Sequence, residues 1–223
     1  QPVAEVIRRN WREIILSALV RMSEQAPFYI FTTFVLAYGV KDLKFSNNFM
    51  LVSVFLAAIV SLATVPLAGH FSDRFGRRRL YAVGAVLIAV FAFPYFAMLQ
   101  SMVGAVVILA VILSLIPHDL QYGPQAALIA ENFTGRMRFS GAAIGYQLAS
   151  VVAGGPAPLI ATALFGAFHS TVPVAIYLIF CVVVTLIALY FIPNRQHIDH
   201  SVEYDEAEGT GQATQGTTTP SPA

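Results

Sequence analysis

Two pairs of ionisable residues stand inside apolar sequence in this chain of 223 residues: Arg21 with Glu24, and His118 with Asp119. Arg21 and Glu24 are spaced i, i+3, so on a helix they share a face and can pair. The planar fork of an arginine suits a carboxylate, and Glu24 would titrate or change partner. Gln25 follows directly, and Ser17 and Phe28 extend the same stripe. Two readings stand. One is a neutralised ion pair that fixes helix packing. The other is a water-lined cavity in which Arg21 holds an anionic group, preferred because charge at membrane depth is costly and marks function.

His118 and Asp119 could carry protons. Pro117 precedes them, and Gln121, Tyr122, Gly123, Pro124 and Gln125 follow, so an interrupted helix is expected here. Such interruptions line transport sites. Counted from Met102, His118 lies about 24 Å down a helix, well past the midplane. The alternative is a hydrated interruption at the mouth of the protein. A third segment carries small residues every four positions, at Gly141, Gly145, Ala149, Ala153 and Ala157. That strip permits close helix packing. Tyr146 and Gln147 lie beside it as candidate cavity residues, before a break at Gly154-Gly155-Pro156.

The elements that must position these groups are membrane helices. Hydrophobic residues make up 57% of the chain and charged residues 11%, against about 25% charged in soluble domains. The mean hydropathy is +0.70. A spanning helix needs about 20 apolar residues. Six stretches qualify: 14–40, 49–70, 80–99, 102–123, 141–168 and 173–192. The fold class is therefore an all-α integral membrane protein. Glu24 falls about 15 Å beyond Ile14, near the middle of a core about 30 Å thick.

Basic residues alternate between the connections. Arg8, Arg9, Arg12, Arg74, Arg77, Arg78, Arg79, Arg136, Arg138 and Arg195 fall on one side, against Lys41 and Lys44 on the other. The positive-inside rule then puts both termini in the cytoplasm of a multi-pass inner-membrane protein. Residues 1–193 form the membrane part. Residues 194–223 are polar and Gly/Thr/Pro-rich, which reads as a disordered cytoplasmic tail.

Other chemistries find little support. The net charge of +1 gives no argument for nucleic acid. The single cysteine, Cys181, forms no intrachain disulfide and reads as packing. His197, Asp199 and His200 sit in the polar tail and read as solvated groups, so no metal is expected. The sequon Asn132-Phe-Thr134 falls on the cytoplasmic side, where glycosylation does not act. An intramembrane hydrolase would need a GxSxG or HExxH pattern, and the sequence has neither, so no enzyme is expected.

One stretch remains: Gly69-His-Phe-Ser-Asp73-Arg74-Phe-Gly76-Arg77-Arg78-Arg79, between two apolar runs. Its Gly69, Asp73, Arg74, Gly76, Arg77 and Arg78 resemble the signature loop of the major facilitator superfamily. The segment from Tyr122 through Glu131, Arg136, Gly141 and Gln147 to Thr162 resembles the C-terminal half of the metabolite:proton symporter family, which includes shikimate, α-ketoglutarate and proline/betaine permeases. The Arg21/Glu24 and His118/Asp119 pairs are most similar to the shikimate-permease branch.

The resemblance implies one half of a twelve-helix fold, equivalent to helices seven to twelve, partnered by an N-terminal six-helix half. It implies proton-coupled symport of a small organic acid or zwitterionic metabolite by alternating access. No cofactor is implied, the proton gradient being the energy source. Arg21, Glu24, Gln25, Tyr146 and Gln147 would bind substrate, and Glu24, His118 and Asp119 would couple protons. The loop would gate, with Asp73 as a latch, while Arg78 and Arg79 also fit topology and lipid contact. The alternative is a truncated membrane subunit with a structural or regulatory role.

Overall fold

The computed structural model describes residues 11–131 and 138–192. The tail 194–223, the sequon, and Arg8, Arg9, Arg136 and Arg195 of the charge count lie outside them. Among the described residues every regular element is a helix, with no strand. The helices are α1 (Trp11–Val20), α2 (Met22–Tyr29), α3 (Val35–Lys41), α4 (Asn47–Phe75), α5 (Arg77–Gln100), α6 (Gly104–Ala130), α7 (Arg138–Ala149), α8 (Ala157–Phe168) and α9 (Val172–Phe191). Two π-helical turns, Ile30–Phe34 and Ser150–Gly154, join α2 to α3 and extend α7 towards α8.

Five continuous stretches are long and apolar enough to cross a membrane: Asn47–Phe75, Arg77–Gln100, Gly104–Ala130, Ala142–Phe168 and Val172–Phe191. The sixth expected span, 14–40, is instead a succession of shorter helices over 11–41, with a turn at Arg21. Pro27 helps explain the irregularity. It has no N–H to give the carbonyl four residues back, that of Ser23. The Gln121 side chain donates to that carbonyl instead, at 3.4 Å.

The prolines of α6 act differently from expectation. Pro117 and Pro124 both lie inside one unbroken helix. Each removes one backbone donor, which packing against neighbouring helices tolerates. α6 is the hub, packed between α4 and α5. A Cβ at Gly123 would stand 2.8 Å from both the Gly69 nitrogen and the Val65 carbonyl oxygen, and one at Gly84 would stand 2.7 Å from the Pro117 carbonyl. The close crossing of α4 and α6 therefore needs Gly123. Gly69 meets nothing nearer than 4.0 Å and is not the constrained partner. α9 packs on α5, α1 and α2, and α7 packs on α1.

The basic stretch is more helical than a loop. α4 continues through Asp73 and Arg74 to Phe75, and α5 opens at Arg77. Gly76 alone makes the reversal, at φ 96°, a backbone region that favours glycine.

Candidate functional site

The first span places its polar residues by breaking at Arg21. The break exposes backbone groups that an apolar surrounding cannot satisfy. Side chains of other helices take them up. The Ser23 N–H donates to the Thr185 hydroxyl at 2.9 Å. That hydroxyl in turn lies 3.1 Å from the Leu19 carbonyl and 3.0 Å from the Val20 carbonyl. The Tyr81 hydroxyl also donates to the Val20 carbonyl, at 3.0 Å. Ser23 Oγ donates to Gln121 Oε1 at 2.5 Å. α2 is thus held between α6, α5 and α9 at the level of the charges.

Arg21, Glu24, His118 and Asp119 are all buried. Arg21 Nη2 donates to Glu24 Oε2 at 3.2 Å, and Nη1 to the Tyr146 carbonyl at 2.5 Å. The guanidinium carbon lies 3.4 Å from the centroid of the Tyr146 ring, a cation–π arrangement. Arg21 Nε is buried without a partner. Glu24 also accepts from Gln125 Nε2 at 2.7 Å and stands 3.3 Å from His118 Nε2. Gln25 Nε2 lies 3.5 Å from Glu24 Oε1, at the limit of a hydrogen bond. His118 Nδ1 lies 3.0 Å from Asp119 Oδ1, and the other Asp119 oxygen accepts from Thr64. The result is one polar chain, Tyr146–Arg21–Glu24–His118–Asp119–Thr64, running from α7 to α4.

From Tyr146 to Asp119 this chain lines an open cavity of about 840 Å³. Arg21, Glu24, Gln25, His118, Asp119 and Tyr146 all face it. Val54, Ala58, Leu62 and Val65 of α4 form an apolar wall, and Phe28, Tyr29 and Tyr122 add aromatic faces. The Phe28 and Tyr122 rings flank His118, with centroids 4.9 and 5.6 Å away. Gln147 is not brought here. It is exposed and lines a separate shallow groove with Ala143, Ile144, Leu148 and Val151.

His118 sits at the level of Glu24, not deeper towards one face. α6 begins at Gly104 and ends at Ala130. His118 is therefore fourteen residues from one end and twelve from the other (118 − 104 and 130 − 118). The count from Met102 had taken the wrong span for the helix. Thr64, Gln125 and Ser61 escaped the sequence reading as cavity or cluster residues. Their only sequence signal is a polar side chain within an apolar helix.

The basic end is a second polar system. Arg77 pairs with Asp73 at 2.9 Å and also with the buried Glu131, just past α6. Arg78 donates to the Tyr190 and Ile192 carbonyls, each at 3.3 Å, at the C-terminal end of α9. A cation there complements both the free carbonyls and the helix dipole. Among the described residues, no group of three or more His, Cys, Asp or Glu could hold a metal ion.

A polytopic helical membrane protein with a charged cavity at mid-helix depth is the class these features define. The model of the Major Facilitator Superfamily matches residues 14–214, and the chain belongs to that superfamily. It is 35% identical over 194 residues to a shikimate transporter of Escherichia coli (strain K12), covering 84% of this chain and 44% of that protein. It is 30% identical over 201 residues to an inner membrane metabolite transport protein of the same strain, covering 88% and 46%. It is 27% identical over 190 residues to a citrate-proton symporter of Klebsiella pneumoniae, covering 85% and 43%. The chain thus spans less than half the length of these curated relatives. No solved structure matches it.

Proposed function

We propose that this chain is the C-terminal six-helix half of a proton-coupled symporter that carries a small organic acid across the inner membrane by alternating access. An N-terminal half would close the open side of the cavity, and both termini of this segment would face the cytoplasm. The observation that carries the reading is the buried Arg21–Glu24–His118–Asp119 chain lining a cavity. Arg21 would receive the substrate carboxylate through its fork.

Formal charges support coupling to a proton. With a proton between His118 and each of its two carboxylates, Arg21, His118, Glu24 and Asp119 sum to 0. A monocarboxylate entering with one proton leaves that sum unchanged, so the loaded site carries no added buried charge. Glu24 or the His118–Asp119 pair would hold the proton. Relatives named for shikimate, citrate and proline/betaine transport agree with a small metabolite as cargo.

The test is uptake of labelled organic acids by the full permease that contains this chain, in vesicles with and without an imposed proton gradient. Uptake is expected only with the gradient. Arg21→Lys should lose it, because lysine lacks the bidentate fork. Full uptake by Arg21→Lys would remove Arg21 as the carboxylate clamp. Gradient-driven accumulation by Glu24→Gln would assign the proton to His118 and Asp119.

A further inference from the structure

The cavity above does not use the second recess of the molecule. That groove, of about 680 Å³, lies at the basic end between α5 and α9. Its polar rim is Asp73, Arg74, Arg78 and Arg79, and its apolar wall is Ala82, Leu186, Leu189 and Tyr190. Asp73 is already paired with Arg77. Arg78 is turned to the α9 carbonyls, while Arg74 and Arg79 are exposed. Among the described residues neither Arg74 nor Arg79 has an ion pair. The rim therefore carries a surplus of positive charge, and the wall below it is built for hydrocarbon.

We propose that this groove is a binding site for an anionic phospholipid of the leaflet at the basic end. Arg74 and Arg79 hold the headgroup phosphate. Guanidinium groups match phosphate oxygens in geometry as well as charge. The first acyl carbons lie along Leu186, Leu189 and Tyr190. The position suits this ligand because α5 and α9 are both apolar enough to span a membrane, so the groove opens where their shared surface meets the headgroup layer. Both sides of the ligand are needed: an anion alone would leave the apolar wall uncovered, and a neutral lipid would leave the arginines uncompensated. The proposal is independent of the transport reading.

The test is native mass spectrometry of the full chain released from phosphatidylcholine nanodiscs containing a minority of phosphatidylglycerol. Retention of phosphatidylglycerol over phosphatidylcholine is expected. Arg74→Gln and Arg79→Gln should each lower that preference about fivefold, the scale set by one basic side chain near an anionic surface. Arg12→Gln removes an equal charge at the same end outside the groove and should leave the preference unchanged. Tyr190→Ser alters the exposed wall without altering charge and should weaken retention as well. Three results would overturn the proposal. They are an effect of Arg12→Gln equal to that of Arg79→Gln, full retention by Tyr190→Ser, and displacement of the lipid by millimolar inorganic phosphate. The first would mean diffuse surface attraction, and the other two a site for a free anion.

Discussion

Removing the cation of the buried pair is the sharpest test of the cavity's electrostatics. Arg21 and Glu24 have side chains 2% exposed and lie 3.2 Å apart. Arg21→Met keeps the apolar stem but leaves Glu24 buried with only His118, Gln125 and Gln25 beside it, and the formal sum falls from 0 to −1. Breaking a buried pair from one side costs about 3–5 kcal/mol, because the remaining charge is left uncompensated. Replacing both partners by apolar groups of similar size is often near neutral. The double variant Arg21→Met/Glu24→Leu should therefore recover most of what each single change loses. The assay is unfolding of the reconstituted chain in denaturing detergent, followed by helix content, as a double-mutant cycle. Acidification should favour Arg21→Met, since a proton bound by the folded cluster restores the wild-type charge. Stability rises towards low pH wherever the folded state binds more protons than the unfolded one. Additivity of the two single losses within about 0.5 kcal/mol would refute the reasoning, as would a loss below about 1 kcal/mol for Arg21→Met.

Thr185→Val removes the acceptor of the Ser23 N–H while Tyr81 keeps the Val20 carbonyl bonded. A loss of about 1–3 kcal/mol is expected in the same unfolding assay, with Thr185→Ser restoring it. Gly123→Ala forces a Cβ to within 2.9 Å of backbone and side-chain atoms of α4 and should cost about 1–3 kcal/mol in thermal stability. Gly69→Ala, with open space at 4.0 Å, should be tolerated. Asp73→Asn breaks an exposed pair, so stability should change by less than about 1 kcal/mol. If Asp73 latches the closed state, the balance of inward- and outward-open forms in the full permease should still shift, measured by site-directed labelling.

The spans were legible because apolar runs of membrane length have few other uses. Their ends were less so. Asp73 and Arg74 are polar yet helical, since α4 stops only where Gly76 adopts positive φ. The Arg21–Glu24 pair was readable from i, i+3 spacing. The Glu24–His118 contact was not, because it depends on how two separate helices pack. His118 also appeared too deep, since polar residues after it seemed to end a helix that in fact continues to Ala130. Tyr146 and Gln147 illustrate the limit of proximity along the chain. Adjacent helical residues point about 100° apart, so one covers Arg21 and the other faces outward.

The irregular backbone and the charges belong to one design. A straight first helix would satisfy its own carbonyls and leave Ser23, Thr185, Gln121 and Tyr81 as buried polar groups without purpose. The turn at Arg21 and the proline at Pro27 free backbone groups at the level where the Thr185, Gln121 and Tyr81 side chains meet them. On the facing side, Tyr146 lies four residues before the π turn that begins at Ser150, and the Ser150 hydroxyl donates back to the Tyr146 carbonyl at 3.2 Å. That carbonyl also receives Arg21. Both interrupted segments thus converge on the guanidinium. The guanidinium therefore sits where the two irregular segments meet, while α4, α5, α6 and α9 around it are continuous helices.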